Sequence, residues 1–237
     1  MDNVLVVGAS SGIGRATALR LASSCRVFAM ARRAERLEEL TAEGIVPVVF
    51  DVTRFDEIAP TLKALAKEHG RFRALVYCAG VQNIKPLRML KAADLEAIFA
   101  VNTYAPALFA QAFAARAVHT KENPAMVFVS SIAAQRPEPG ILAYGASKAA
   151  LDNLVKGLAK ELAPIRVNGV APGFLRTEMT ERFAHVYDEA FVERIEKSYP
   201  LGLGSAEDVA ALVAFLLSDD AAYLTGEIIR IDGGGAL

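Results

Sequence analysis

Residues 3–14, Asn-Val-Leu-Val-Val-Gly-Ala-Ser-Ser-Gly-Ile-Gly, decide the fold of this chain. The apolar run 3–7 predicts a short strand, and the amphipathic pattern over about 15–23 predicts a helix. Between them, the glycines of 8–14 let the backbone turn sharply and approach a pyrophosphate, whose charge the N–H groups of the helix N-terminus would meet. The spacing G-x-x-x-G-x-G is a variant of the dinucleotide fingerprint G-x-G-x-x-G. It favours a nucleotide-binding turn, and a tight turn without a ligand is the alternative.

Strand and helix patterns alternate along the rest of the chain. Such alternation predicts right-handed βαβ crossovers and an α/β fold of the Rossmann type, a doubly wound parallel sheet of about seven strands with helices on both faces. The order 3-2-1-4-5-6-7 places the third strand at an edge, where Pro47, which lacks a ladder donor, is tolerated. The further strands are predicted at 26–31, 45–50, 74–77, 125–129, 165–170 and 227–231. The helix patterns lie at about 34–42, 55–68, 92–118 and 143–163, and a capping box at 205–208 opens a last helix that runs to about residue 217.

The composition limits the partners that the chain can have. Its 237 residues are 53% hydrophobic and no linker divides them, which predicts one domain, 1–237. The formal charge of −1 is spread without a basic stripe, and no apolar run is long enough to span a bilayer, so we expect neither a nucleic-acid partner nor a membrane span. Cys25 and Cys78 are too few and too isolated for a disulfide framework or a metal site, and no targeting segment precedes the first strand. We therefore expect a cytoplasmic protein with reduced thiols and a small-molecule partner.

Several small or polar residues follow directly after predicted strands. In an open parallel sheet the carboxyl ends of the strands share one edge, and ligands of such folds bind there. We therefore expect one ligand site at this edge, formed by Gly8 to Gly14, Arg32, Asp51, Ala79, Gly80, Ser131, Pro172 and Gly173.

The stretch Tyr144-Gly-Ala-Ser-Lys148 sets a phenol and an ammonium on one face of a predicted helix. A lysine beside a tyrosine favours the phenolate, so we expect it to lower the tyrosine pKa toward the range where the phenol exchanges protons with a carbonyl or an alcohol. A solvated helix face is the alternative interpretation of the pair, and the ligand site at the same edge argues against it. Asn102, amid apolar residues of the long helix pattern, either caps a kink or serves a site.

Together these residues resemble the short-chain dehydrogenase/reductase family in its compact single-domain branch, and the match runs from Val4 to Gly235. The extended branch, with epimerases and dehydratases, is less similar because its glycine spacing differs and its chains are longer. The family motif of the glycine turn matches Gly8, Gly12 and Gly14. The motif at the end of the third strand matches Asp51 and Val52, and the motif at the end of the fourth strand matches Cys78, Ala79 and Gly80. The motif at the end of the sixth strand matches Pro172, Gly173 and Thr177. The chain departs from the family at Val7, where threonine is frequent, and at Cys78, where asparagine is usual.

The resemblance implies a nicotinamide-dependent oxidoreductase that transfers hydride between the cofactor and a carbonyl or a secondary alcohol. Tyr144 would be the general acid/base, and Ser131 would hydrogen-bond the substrate oxygen. Lys148 would depress the tyrosine pKa and bind the nicotinamide ribose, and Asn102 would hold a water that links the lysine to solvent. The implied cofactor-binding residues are Gly8, Ser10, Ser11, Gly12, Ile13, Gly14, Arg32, Arg33, Asp51, Val52, Cys78, Ala79, Gly80, Tyr144, Lys148, Pro172, Gly173 and Thr177.

The residues after the second strand predict which nicotinamide cofactor is used. Enzymes that prefer NAD(H) place an acidic residue there for the adenosine ribose 2′-hydroxyl, but this chain has Ala31, Arg32 and Arg33. A guanidinium grips a phosphate through paired hydrogen bonds, so we expect NADP(H), with Arg32 ranked above Arg33 as the direct ligand. Two solvated arginines opening a helix are the alternative, which the helix dipole disfavours. Ser11 stands where some NADP enzymes carry a further basic residue, so we expect modest discrimination.

Substrate and assembly are expected from the same resemblance. The C-terminal third looks most like the β-ketoacyl-carrier-protein reductases, which implies 3-oxoacyl groups on acyl-carrier protein as substrate. Sugar, polyol and steroid dehydrogenases of the family share this likeness, and a catalytically silent nucleotide-binding sensor or scaffold is an alternative of another class. The segment 174–204, with aromatic and charged residues, is expected to be a mobile lid that favours an acyl or ring portion. The apolar helices near 99–118 and 143–163 predict a homo-oligomer, a dimer or a tetramer.

Overall fold

The computed structural model describes residues 1–175, 178, 183, 187 and 189–235. A seven-stranded sheet lies at the centre, in the order β3-β2-β1-β4-β5-β6-β7, and each neighbouring pair of strands is parallel. The strands are β1 (Asn3–Val7), β2 (Arg26–Ala31), β3 (Val46–Val49), β4 (Phe72–Tyr77), β5 (Ala125–Val129), β6 (Arg166–Pro172) and β7 (Ile228–Ile231). The predicted fold class and strand order are confirmed. Pro47 lies on β3 at the edge of the sheet, as its missing N–H requires.

Helices cover both faces of this sheet. They are α1 (Gly12–Ala22), α2 (Ala34–Glu38), α3 (Phe55–His69), α4 (Ala92–Phe99), α5 (Ala105–Phe113), α6 (Leu142–Glu161), α7 (Glu189–Ser198) and α8 (Ala206–Leu217). One apolar core lies on the face that α3, α5 and α6 cover, where Leu62, Phe109 and Leu151 are buried. The other lies under α1 and α8, where Ala18 and Val213 are buried. Among the described residues, none of the helices combines the length and the apolar composition of a membrane-spanning segment.

The helical region predicted over 92–118 is confirmed for residues 92–113, where the chain forms two helices with a break between them. A π-helical turn, Ala100–Tyr104, separates α4 from α5, and α5 ends at Phe113. Pro106 stands in the first turn of α5. It has no N–H to donate to the carbonyl four residues earlier, and its ring would clash with that carbonyl, which is the carbonyl of Asn102. The wider turn avoids the clash and places Asn102 within the break.

The segment 174–204, expected to be a lid, lies partly outside the described residues, and Thr177 lies outside them as well. Of the described part, α7 follows from residue 189, and Leu175 pairs with Gly204 in an isolated parallel bridge. This bridge brings the two ends of the segment together beside the carboxyl edge of the sheet. The segment is therefore anchored at the edge where the predicted ligand residues lie.

Candidate active site

The carboxyl edge of the sheet carries a cleft with a volume of about 910 Å³. Of the predicted catalytic and cofactor-binding residues that the structure describes, only Asn102 is not part of its lining. Those that line it are Gly8, Ser10, Ser11, Gly12, Ile13, Gly14, Arg32, Arg33, Asp51, Val52, Cys78, Ala79, Gly80, Ser131, Tyr144, Lys148, Pro172 and Gly173. The structure therefore brings together residues from six strand ends that are far apart in the sequence.

The glycine turn between β1 and α1 is packed backbone against backbone. Gly8 has a φ of 87°, and a Cβ atom placed there would lie 2.4 Å from the backbone nitrogen of Ala79. A Cβ atom on Gly14 would lie 2.2 Å from the carbonyl oxygen of Gly8. Only glycine fits at both positions, and the turn lines the cleft at the N-terminus of α1. Backbone N–H groups at a helix N-terminus suit the pyrophosphate of a dinucleotide.

Ser130 and Ser131, at the end of β5, point their hydroxyl groups at different partners. The Ser131 hydroxyl accepts a hydrogen bond from Ala133 N at 3.1 Å, and it shares a hydrogen bond with the Tyr144 phenol. The Ser130 hydroxyl instead donates to the buried carboxylate of Asp152 on α6. The serine beside the tyrosine is thus Ser131, the one that the family resemblance implied.

Lys148 is buried below this tyrosine. Its Nζ donates to the carbonyl oxygen of Val129 at 2.8 Å and lies 5.8 Å from the centre of the Tyr144 ring. Burial lowers the pKa of Lys148 to about 8, although Cys78 and Asp152 act to raise it. The lysine is therefore a group whose charge changes near neutral pH.

The expectation that Lys148 lowers the pKa of Tyr144 is wrong for this arrangement. Burial raises the pKa of the Tyr144 phenol, and the hydrogen bond with Ser131 offsets only part of that rise. The lysine ammonium is directed at a backbone carbonyl, and its own charge is made less stable by burial. In this arrangement desolvation by burial has the largest effect on the Tyr144 pKa.

Asn102 lies behind the wall of the cleft, fully buried. Its Oδ1 accepts from Val81 N at 2.9 Å, and its Nδ2 donates to Val81 O at 2.9 Å and to the Ser147 hydroxyl at 3.0 Å. Both amide hydrogens are used, so the side chain has no donor left for a water. The Ser147 hydroxyl in turn donates to the carbonyl oxygen of Tyr144 at 2.7 Å. The asparagine thus ties the chain after β4 to the first turn of α6.

The two arginines after β2 have different surroundings. Arg33 reaches the glycine turn, with Nε 3.2 Å and Nη2 3.0 Å from the Ser10 hydroxyl and Nη2 2.8 Å from the Ser11 hydroxyl. Arg32 is 67% exposed and lies 3.9 Å from the carboxylate of Asp51. Partial burial acts to raise the pKa of Asp51, but hydrogen bonds from Thr53 and the charge of Arg32 hold it below its usual value. Arg33, not Arg32, is the guanidinium in contact with the glycine turn.

An aromatic wall closes the other side of the cleft. The sequence did not predict that these aromatic residues pack together. The rings of Phe174, Tyr187 and Phe191 pack on one another at centroid distances between 5.2 and 5.8 Å. The Tyr187 hydroxyl accepts a hydrogen bond from Gln82 Nε2 at 2.9 Å, which joins this wall to the loop after β4. The aromatic residues were visible in the sequence, but nothing in their spacing pointed to Gln82.

Comparison with known proteins agrees with the fold. A family model described as enoyl-(acyl carrier protein) reductase matches residues 8–235. The chain is 38% identical to the 3-oxoacyl-[acyl-carrier-protein] reductase of Thermotoga maritima, covering 97% of this chain and 96% of that protein. It is 34% identical to gluconate 5-dehydrogenase of Gluconobacter oxydans, covering 97% of this chain and 93% of that protein.

A solved structure of the same architecture is a variant of actinorhodin polyketide ketoreductase with NADPH. It superposes with a TM-score of 0.90 at 27% identity, covering 98% of this chain and 96% of that one. The glycine turn lines the cleft, and its position at a helix N-terminus suits a dinucleotide such as NADPH. The chain belongs to the short-chain dehydrogenase/reductase family, whose members are oxidoreductases that use a nicotinamide cofactor.

Proposed function

We propose that this protein is an NADP(H)-dependent oxidoreductase that interconverts a carbonyl group and a secondary alcohol. One observation carries the proposal: the phenol of Tyr144, the hydroxyl of Ser131 and the ammonium of Lys148 line the same cleft as the glycine turn and Arg33. Groups for proton transfer and groups for dinucleotide binding thus share one cavity. This combination is what reduction of a carbonyl by a nicotinamide requires.

Each of the three side chains has a distinct part in the chemistry. Tyr144 donates its proton to the substrate oxygen in reduction and takes it back in oxidation, and Ser131 donates a hydrogen bond that stabilises charge on the same oxygen. Lys148, when protonated, stabilises the phenolate that Tyr144 becomes after donating its proton, and it binds the ribose hydroxyls. The nicotinamide, when bound, supplies or accepts the hydride.

Asn102 supports these groups from behind. Its three hydrogen bonds hold the backbone at Val81 and the hydroxyl of Ser147, which is bonded to the carbonyl of Tyr144. We therefore assign Asn102 to positioning Tyr144. Any water that links Lys148 to solvent would be held by acceptor atoms of this residue, because its donors are engaged.

The choice of NADP(H) rests on Arg33. Its guanidinium lies at the glycine turn and the adjoining end of β2, where the adenosine ribose of a dinucleotide binds in this fold. A 2′-phosphate there would meet a planar group with paired donors. Arg33 rather than Arg32 is therefore the proposed phosphate ligand, and the exposed Arg32 contributes positive charge at the rim of the cleft.

The best candidate for the substrate is a 3-oxoacyl group on acyl-carrier protein. The similarity to the Thermotoga maritima reductase supports it, and the aromatic wall suits an acyl chain. The similarity to gluconate 5-dehydrogenase favours a sugar or polyol as the second candidate. For either substrate, we propose that the segment 174–204 is the lid over the substrate. We also propose that the protein is cytoplasmic and that it forms a homo-oligomer.

A substrate panel distinguishes these candidates. The oxidation of NADPH would be followed with acetoacetyl-acyl-carrier protein, with its short thioester analogue, and with keto-sugars such as 5-ketogluconate. We expect kcat/KM for the thioesters to exceed that for the sugars. A higher kcat/KM for keto-sugars would replace the first candidate by the second, and NADPH binding without any turnover would favour a silent sensor.

A further inference from the structure

Arg33 joins three separate parts of the chain. It directly precedes α2, and its Nε and Nη2 atoms donate to the serine hydroxyls of the glycine turn. Its remaining nitrogen, Nη1, donates to Oε2 of Glu178 at 2.8 Å. Glu178 belongs to the segment that follows β6, so its carboxylate comes from the far side of the cleft. The guanidinium that we assign to the 2′-phosphate is therefore already paired with an anion.

The position of the Glu178 carboxylate affects which nicotinamide cofactor the cleft can bind more tightly. Enzymes that prefer NAD(H) place an acidic side chain at the end of the second strand, where it accepts from the ribose 2′-hydroxyl and repels a 2′-phosphate. In this chain that strand ends with Ala31, which has no such group. Glu178 brings a carboxylate to the neighbouring Arg33 from another segment. The end of β2 has no acidic side chain of its own, and Glu178, from the segment after β6, places a carboxylate beside it.

We propose that Glu178 is a cofactor-selectivity residue whose carboxylate competes with the ribose 2′-phosphate for Arg33 and so weakens the preference for NADP(H) over NAD(H). This inference rests on the proposed function. The 2′-phosphate of NADP(H) must displace the Glu178 carboxylate from Nη1 before it can accept hydrogen bonds from that nitrogen. NAD(H) carries no 2′-phosphate and leaves the ion pair between Arg33 and Glu178 in place. Arg36, with Nη2 3.7 Å from Oε1 of Glu178, is a second cation to which the displaced carboxylate can turn.

The exposure of the pair sets the size of the effect. The side chains of Arg33 and Glu178 are each 33% exposed, so water weakens their attraction and the competition is partial. The carboxylate also repels the incoming phosphate over a short distance. We therefore expect removal of the charge to improve NADPH binding by at least about threefold, rather than by orders of magnitude.

Dissociation constants for NADPH and NADH in three proteins test this directly, at a salt concentration of about 0.15 M that screens distant charges. Glu178→Gln keeps the shape of the side chain and removes its charge. Glu39→Gln is the matched control, because it removes the same charge from a nearby side chain. Glu39 pairs with Arg36 at 3.5 Å and with Arg15 at 3.9 Å, and not with Arg33. We expect Glu178→Gln to raise the Kd ratio of NADH to NADPH at least about threefold and Glu39→Gln to leave it within about 1.5-fold of the wild-type ratio.

A double-mutant cycle with Arg33→Ala separates competition for Arg33 from a general charge effect. The inference requires that Glu178→Gln change the ratio in the wild-type background and not in the Arg33→Ala background. An equal change in both backgrounds, or an unchanged ratio in the single variant, overturns it while leaving the proposed function intact. Failure of the wild-type protein to bind either nucleotide would instead remove the proposed function, and this inference with it.

Discussion

Buried charge around Lys148 sets the pH range in which the proposed chemistry can run. The ammonium is buried, and its pKa is lowered to about 8 by burial. Asp152, four residues further on α6, is also buried, and its carboxylate accepts from the Ser130 hydroxyl. Burial raises the pKa of Asp152, whereas Ser130, Lys148, Lys156 and Gln135 lower it. The Asp152 carboxylate therefore stabilises the charge of Lys148.

The first prediction follows from the sign of this shift. Lys148 is charged below a pH of about 8 and neutral above it, so kcat/KM for carbonyl reduction should fall as pH rises through that value. Asp152→Asn removes a charge that raises the pKa of Lys148, so the falling limb should move to lower pH by roughly half a unit or more. Asp152→Glu, which keeps the charge, is the control. A pH profile that is the same in the wild-type protein and Asp152→Asn would contradict this account of the lysine.

The second prediction concerns Tyr144. Tyr144→Phe removes only the phenolic oxygen, so nucleotide binding should remain nearly intact while kcat falls by a factor of about 10² or more. Fluorescence titration with NADPH measures the first quantity, and turnover on a verified substrate measures the second. A Tyr144→Phe enzyme with turnover close to that of the wild type would show that another group transfers the proton.

At this scale the sequence predicted which residues meet, but not how their side chains are directed. Residues after successive parallel strands must share an edge, so the members of the cleft could be inferred from position alone. The ranking of Arg32 over Arg33 and the pKa of Tyr144 depend on side-chain direction and on burial. Glu178 lies far from Arg33 in the sequence, and no spacing connects them.

At the scale of elements, α8 shows a prediction that local sequence can support. The capping box expected at 205–208 is confirmed: the Ser205 hydroxyl accepts from Asp208 N at 3.2 Å, and Ser205 N donates to Asp208 Oδ2 at 2.8 Å. Both bonds join residues three apart, so their partners are visible in the sequence. The position of the break between α4 and α5 depends on Pro106, whose effect on the preceding turn is not visible in the apolar pattern.

The third prediction measures what this cap contributes. Ser205→Ala leaves the Asp208 N–H without its acceptor, so the free energy of unfolding should fall by about 1 kcal/mol. For a chain of this size that corresponds to a fall in Tm of about 2–4 °C. Ser218→Ala at the other end of α8 is the control, since its exposed hydroxyl only donates to the carbonyl of Phe215. An equal loss from both variants would show that the cap has no special role.

At the scale of the whole molecule, the outer surfaces of α5 and α6 are only partly covered. The structure buries Phe109, Phe113 and Leu151 within the chain's own core, so these residues do not argue for a partner. Leu108 and Leu158 are half-buried at the margin of that core. Tyr104 and Leu142, at the ends of the two helices, are 52% and 47% exposed. The apolar surface that remains for a second subunit is smaller than the sequence indicated.

The fourth prediction is that this surface still joins two copies of the chain. Apolar side chains at a half-covered margin are stabilised by contact with a second copy, and a two-fold axis would place the same two helices of both copies against each other. Light scattering at micromolar concentration should give a mass at least twice that of one chain, and Leu158→Glu should lower it. A monomeric wild-type protein would contradict the prediction.

The central claim is that the cleft transfers hydride between a nicotinamide and a carbonyl carbon, and isotope transfer tests it most directly. The wild-type protein would be incubated with NADPH carrying deuterium at the transferable position and with the best carbonyl substrate of the panel, and the product examined by mass spectrometry and NMR. The account predicts one deuterium per product molecule, on the carbinol carbon, and greatly reduced product from Tyr144→Phe. Product without deuterium at that carbon, or NADPH binding without product from any carbonyl of the panel, would contradict it.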